Sequence, residues 1–244
     1  MKRPPKFVLA LAIFLLLISQ INTARENSGP PAVALRSAIP VLCTEKYLAG
    51  RTKVRGTAVV VDANGTILTA AHVVLGTGSY CTLTVLVPGD DWSAAPGFHA
   101  FAVQECATDQ HMDVAVCDIK PLGSAADRTF LRAASTRMPL AAQNSGITVT
   151  GFAGWGLVPV ARRGKMREHQ LYHLQDGTLC DLATDVAAFE GMSGSPVVND
   201  DGEVTGLITT AGIKQYSGTS FGISIERAAG FLRAHGVHLE KTLP

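Results

Sequence analysis

The sequence predicts an all-β protein, and three observations carry that expectation. The chain holds 24 glycines and 12 prolines in 244 residues, enough for many tight connections between short elements. Val and Thr are numerous while aromatic residues make up only 6%, a balance that favours strands over a helical bundle. Short apolar runs end in turn residues almost everywhere, and helical periodicity is confined to one segment. With 47% hydrophobic residues the chain can bury a large core, which excludes a mostly disordered protein. Twenty-one Lys+Arg against 20 Asp+Glu leave neither a basic field for nucleic acid nor an acidic solvating tail.

The elements follow in order. Lys2, Arg3 and Lys6 precede an uncharged apolar run from Phe7 to Ile18, and small residues follow at Thr23 and Ala24. This is the three-part pattern of a secretory signal, and its apolar run is well short of the roughly 20 residues a spanning helix needs. Residues 1–24 are expected to be removed, with an uncleaved N-terminal anchor as the alternative and no stable membrane span. The mature chain then has 18 Lys+Arg against 20 Asp+Glu, a net of −2. A secreted or periplasmic location is expected.

Residues 25–34 read as a polar lead-in. Ala58-Val59-Val60-Val61, the turn Asp62-Ala63-Asn64-Gly65 and the returning Thr66-Ile67-Leu68-Thr69 form a hairpin signal, because Asn and Gly both tolerate positive φ. Further strands are expected at 82–87, 100–105, 114–119, 147–152, 177–182, 195–198, 204–210 and 220–223. The alanine-rich stretch 121–144 is less periodic and joins two β units, expected at 35–130 and 145–223, with 131–144 as the connection proper. Helical spacing of Ile225, Ala229 and Leu232, a Ser224 cap, Glu226 in the first turn and Gly236 at the end predict a helix over 224–236. Residues 237–244 are expected to be a tail.

Five cysteines stand at Cys43, Cys81, Cys106, Cys117 and Cys180. Export permits disulfides, and an odd count leaves one thiol over. A bridge is expected among Cys81, Cys106 and Cys117, with the pair left open; buried unpaired thiols are the alternative. No Cys or His spacing suits zinc, and His99, His111, His169, His173, His235 and His238 read as surface or core residues. Asn64-Gly65-Thr66 is a formal glycosylation acceptor whose use is not expected in a tight hairpin.

Three segments carry chemistry. Leu68-Thr69-Ala70-Ala71-His72 ends a strand in small residues and delivers a histidine able to exchange protons near neutral pH. In His111-Met112-Asp113-Val114-Ala115-Val116, an acid heads an apolar strand, where burial demands a partner and a histidine N–H would serve. In Phe189-Glu190-Gly191-Met192-Ser193-Gly194-Ser195-Pro196, glycines on both sides of Ser193 allow a tight turn that exposes its hydroxyl and gathers backbone N–H groups at one spot.

The order His, Asp, Ser, with the Thr-Ala-Ala-His segment, the Asp-Val-Ala-Val strand and the Gly-x-Ser-Gly-x-Pro turn, resembles the chymotrypsin-fold (trypsin-like) serine proteases. The look is closest to the bacterial trypsin-like and HtrA-type branch, and it covers roughly residues 54–232. The resemblance implies two six-stranded antiparallel β-barrels with a C-terminal helix, and a serine endopeptidase acting through an acyl-enzyme without metal or cofactor. It implies Ser193 as nucleophile, His72 as general base and acid, and Asp113 as the group that orients the imidazole, with Asp109 the rival acid and Ser195 the rival nucleophile. The N–H groups of Gly191 and Ser193 resemble the oxyanion hole.

For substrate binding the resemblance points to Ala187 at the base of the S1 pocket, Glu190 at its mouth, Thr209, Thr210 and Ala211 as the strand that pairs with substrate, and Gly222 as the far wall. With no acid at the base, an apolar P1 side chain is expected. Met192 stands where trypsin-like zymogens carry an aspartate that pairs with a freed N-terminus, so no trypsin-style zymogen switch is expected. Protein or peptide substrates, no nucleic acid, no room for a PDZ domain and a monomer complete the expectations.

Overall fold

The computed structural model describes residues 37–46, 50–76, 80–88, 98–122, 133–138, 141–153, 156–168, 170–174, 176–212 and 216–241. The expected signal and lead-in, and His169, lie outside them. In chain order the elements are β1 (Ala38–Glu45), β2 (Thr52–Val60), β3 (Thr66–Thr69), α1 (Ala71–Val74), β4 (Cys81–Pro88), β5 (Phe98–Asp109), β6 (Val114–Pro121), β7 (Arg137–Met138) and β8 (Gly146–Phe152). Then follow β9 (Pro159–Glu168), β10 (Tyr172–His173), β11 (Leu179–Cys180), β12 (Leu182–Thr184), β13 (Pro196–Asn199), β14 (Val204–Ala211), β15 (Ser220–Ser224), α2 (Ile225–Ala234) and β16 (Glu240–Lys241).

The strands close into two six-stranded antiparallel barrels, β1-β2-β3-β6-β5-β4 and β12-β15-β14-β13-β8-β9, as expected. Closure removes the edges along which an open sheet would recruit another chain. The apolar runs are continuous rather than alternating because both faces of the central strands are buried. Ala58 and Val60 of β2, Ile67 of β3, and Ala115 and Cys117 of β6 fill the first barrel. Their neighbours Val59, Leu68, Val114 and Val116 face outward into a second cluster with Val198, Val204, Leu207 and Ile223 of the second barrel and Ile225, Ala228, Ala229 and Leu232 of α2. Period-2 strand geometry thus serves one barrel interior and the seam between barrels at once.

The β2–β3 hairpin forms where expected, but only Gly65 uses positive φ (106°). Asn64 stays in ordinary backbone space and its N–H is held by the Asp62 carboxylate, because the connection is a longer turn closed by Val61 N–H to Thr66 O (3.0 Å). Helix α2 is capped as predicted: the Ser224 hydroxyl accepts the Arg227 N–H at 3.0 Å and is itself fixed by Asp181 (2.6 Å). The expected strand 177–182 divides into β11 and β12. The stretch after α2 is packed, with Val237 and Leu239 buried and β16 pairing in parallel with β7.

Two of the barrel strands, β1 and β9, had no counterpart in the sequence reading. Pro40 interrupts β1, and a proline normally argues against an internal strand position. In β9 the exposed Arg163, Lys165 and Arg167 alternate with inward Gly164 and buried Met166, a period hidden because Gly164 carries no apolar side chain.

Cys43 bridges Cys81 across β1 and β4, and Cys106 bridges Cys117, its direct cross-strand partner in β5 and β6. The bridge expected among three cysteines is therefore Cys106–Cys117, while Cys81 goes to Cys43. Cys180 is free and buried. Loss of solvation pushes its thiol up to about 11, against the opposing effect of its hydrogen bond with Thr209, so it stays neutral and inert at physiological pH. At pH 8 the native protein is expected to resist iodoacetamide and to take up one equivalent after denaturation. Rapid alkylation of the native protein, or peptide mapping with different pairs, would contradict this arrangement.

Candidate active site

Asp113, the expected partner of His72, and its rival Asp109 have two different jobs. Asp109 is a turn residue: its Oδ1 accepts the N–H groups of His111 and Met112, both at 3.0 Å. That turn delivers Asp113 in the left-handed region (φ 50°), which aspartate tolerates better than most side chains. Three hydrogen bonds then join Asp113 to the start of α1. Its carbonyl accepts the Ala71 N–H at 3.1 Å, its Oδ1 accepts the His72 N–H at 2.9 Å, and its Oδ2 lies 2.7 Å from His72 Nδ1.

The carboxylate is an acceptor only, so Nδ1 carries the proton and Nε2 presents its lone pair. The Asp113 side chain is 10% exposed and that of His72 is 51% exposed. The acid is sheltered while the ring remains open to a ligand.

Ser193 arrives from the other barrel. It lies in the turn between Met192 and β13, where Gly191 (φ 92°) and Gly194 (φ 85°) both occupy backbone space that L side chains avoid. Space is closed as well. A Cβ on Gly194 would run into Thr57 O and Thr69 Oγ1, and one on Gly191 into Phe152 O. The turn is sewn to β14 by Gly194 N–H to Ile208 O (2.7 Å) and Ile208 N–H to Ser195 O (2.9 Å). Among the described residues neither the Gly191 nor the Ser193 N–H has a hydrogen-bond acceptor.

The Ser193 hydroxyl donates to Thr209 O at 3.4 Å, and no hydrogen bond joins it to the His72 ring. Ser195 is fully buried against Gly151, its Oγ without a partner, so the rival nucleophile is inaccessible.

The remaining expected site residues sit around this turn. Ala187 is half-buried, and Glu190 is exposed beside Phe189, over whose ring the Arg162 guanidinium stands at 4.6 Å. Thr209, Thr210 and Ala211 form the end of β14, and Gly222 pairs with Ile208 across β14 and β15, pressed against the Leu207 carbonyl. No group of three His, Cys, Asp or Glu able to hold a metal occurs among the described residues.

A family profile described as a trypsin-like peptidase domain matches residues 56–207, well over half of the chain and all three segments. The chain belongs to this family. The serine protease HTRA3 of Homo sapiens is 31% identical over 196 residues, covering 72% of this chain and 37% of that protein. The mitochondrial serine protease HTRA2 of Bos taurus is 33% identical over 178 residues, covering 72% and 35%. The chain spans less than half the length of the relatives it matches. Among solved structures, the active form of the Rv3671c protease from M. tuberculosis shares the fold, with a TM-score of 0.67 over 87% of this chain and 86% of that one at 22% identity.

In this trypsin-like peptidase domain one residue behind the site, Thr57, had no part in the sequence reading. Thr57 is fully buried and makes four hydrogen bonds. Its N–H donates to Ser193 O (2.8 Å), its hydroxyl donates to Gly191 O (2.9 Å) and accepts from Phe152 N–H (3.0 Å), and its carbonyl accepts from Thr69 Oγ1 (2.7 Å). Pro40 is its partner across β1 and β2 and has no N–H to give, which leaves the Thr57 carbonyl to the Thr69 hydroxyl.

Met192, already singled out in the sequence as standing where zymogens carry an aspartate, is fully buried among Ile147, Val149, Leu182, Val197 and Ile208. It anchors the serine turn in the second barrel by packing, where an aspartate would need a buried cationic partner.

Thr57→Val keeps the shape and removes the hydroxyl, leaving Gly191 O and Phe152 N–H buried without a partner. The expected loss of stability is about 1–3 kcal/mol, read by chemical denaturation, with slower chemistry at Ser193. A variant as stable and as reactive as the parent would show that Thr57 does not hold the turn.

Proposed function

We propose that this chain is a secreted serine endopeptidase that cleaves peptide bonds through Ser193, His72 and Asp113. The observation that carries the proposal is the pair of hydrogen bonds that the sheltered Asp113 carboxylate accepts from the backbone N–H and Nδ1 of a single exposed histidine. That arrangement sets the tautomer whose Nε2 can accept a proton.

In the proposed reaction Ser193 Oγ turns from Thr209 O, a long and weak contact at 3.4 Å, toward His72 Nε2. His72 takes the hydroxyl proton as Oγ attacks the scissile carbonyl, and Asp113 stabilises the imidazolium. The free N–H groups of Gly191 and Ser193 receive the oxyanion. His72 then protonates the departing amine, and water, deprotonated by His72, hydrolyses the acyl-enzyme.

Two disulfides in the first barrel support export to an oxidising compartment. For specificity, the absence of an acid at Ala187 supports a small or medium apolar P1 side chain. The Arg162 guanidinium over the ring of Phe189, the residue before Glu190 in the chain, adds a positive charge to this loop, which disfavours a basic one.

A second reading, a catalytically silent relative that binds peptides in the same cleft, rests on the Ser193 hydroxyl being engaged with Thr209. A fluorophosphonate probe separates the two: the parent is expected to be labelled at Ser193 and Ser193→Ala to remain unlabelled. A parent that takes no label sinks the enzymatic reading. For the labelled enzyme, a peptide-library profile is expected to favour apolar P1 residues, and one dominated by Lys or Arg would overturn the pocket assignment.

A further inference from the structure

Helix α1 holds His72 in a single turn of four residues, too short to persist by its own hydrogen bonds. Its N-terminal N–H groups are taken by Asp113, as described above. Its C-terminal carbonyls meet one side chain, Arg55. Nε of Arg55 donates to Val73 O at 2.6 Å, and one terminal nitrogen donates to His72 O at 2.9 Å and Leu75 O at 3.0 Å. The other donates to the Tyr80 hydroxyl at 2.7 Å, which braces the guanidinium from the opposite side.

The backbone accounts for this aim. In the pairing of β1 with β2, Val41 faces Gly56 and Leu42 faces Val54, so Arg55 is the extra residue of a β-bulge. A bulge re-aims the side chain it carries, and here it turns Arg55 toward α1. Gly56 next to it has no room for a side chain against Val73 and Ser193 O, so strand and helix are held close enough for the guanidinium to reach three carbonyls.

We infer that Arg55 is a positioning residue for His72, the C-terminal counterpart of Asp113. The two charges bracket α1 with the polarity its dipole favours, acid at the N-terminus and cation at the C-terminus. The inference rests on the reading of His72 as general base, and Arg55 acts on it only through the helix backbone. Lysine cannot replace arginine, because an ammonium has no planar fork to span separate carbonyls and a phenol together.

The test compares the parent with Arg55→Ala, Arg55→Lys and Tyr80→Phe, each checked for folding by near-ultraviolet circular dichroism. One readout is the fluorophosphonate labelling of Ser193, resolved into probe binding and the covalent step. The other is the low-field proton resonance of the His72–Asp113 hydrogen bond.

Arg55→Ala is expected to slow the covalent step on the order of 10- to 100-fold, the range for a catalytic group displaced by about an ångström, with probe binding unchanged and the resonance broadened or lost. Arg55→Lys is expected to fold like the parent and recover only part of the rate, and Tyr80→Phe to lose a few-fold. Should Arg55→Ala not fold, Arg55→Lys decides: parental labelling and an intact resonance in that folded variant overturn the inference.

A parent that takes no label defeats the hydrolytic reading instead. The resonance then tests Arg55 by itself: its loss in the folded Arg55 variants with retention in Ser193→Ala supports the positioning role, and its retention in all of them overturns it.

Discussion

The geometry of the site depends on four hydrogen bonds made by one buried threonine. His72 and Asp113 belong to the first barrel, while Ser193 and Gly191 belong to the second. Any slip between the barrels would separate His72 from Ser193. Thr57 stands in β2 yet holds the carbonyls of Ser193 and Gly191 and the N–H of Phe152, and its own carbonyl is held by the end of the strand that leads to His72. Buried hydrogen bonds of this kind enforce position because an unmade one has no water to replace it. The apolar seam around Leu68, Val114, Val198 and Leu207 supplies the adhesion, and Thr57 supplies the register.

Around that junction, locally unfavourable structure is maintained by tertiary contacts. A four-residue helix, an aspartate at φ 50° and two glycines at positive φ would not persist in an isolated peptide. Each is stabilised by a partner from elsewhere in the chain: Asp113 and Arg55 for the helix, Ala71 and His72 for the aspartate, Thr57 and Ile208 for the serine turn. Strain and unmet polarity concentrate where reactive groups must stay exposed and fixed. The core clusters, by contrast, contain ordinary strand geometry and apolar side chains.

Much of the architecture is legible in the chain because hydrophobic runs and turn residues are local signals. The β2–β3 hairpin, the strand after Asp113, β14 and the capped α2 all announce themselves through neighbours a few residues apart. Strands β1 and β9 do not. Pro40 is tolerated because the carbonyl of Thr57 opposite accepts from the Thr69 hydroxyl instead of a strand N–H, and β9 keeps one face in solvent while a glycine occupies an inward position. Arg55 and Thr57 were also illegible: an arginine and a threonine at the head of an apolar strand look like solvent-facing residues until the serine turn and the histidine helix are folded against them.

The chain order His72, Asp113, Ser193 and the glycines around the serine are written in the sequence, because residue type and short spacing alone select for proton exchange, orientation and a tight turn. The all-β class is written there too, through turn punctuation at short intervals. Tertiary structure decided which acid meets the histidine, which cysteines pair, and that the serine hydroxyl rests on Thr209. Those outcomes depend on a bulge, a barrel closure and a strand register, each of which brings together groups far apart in the chain. No local pattern encodes a distance between two barrels; only their packing sets it.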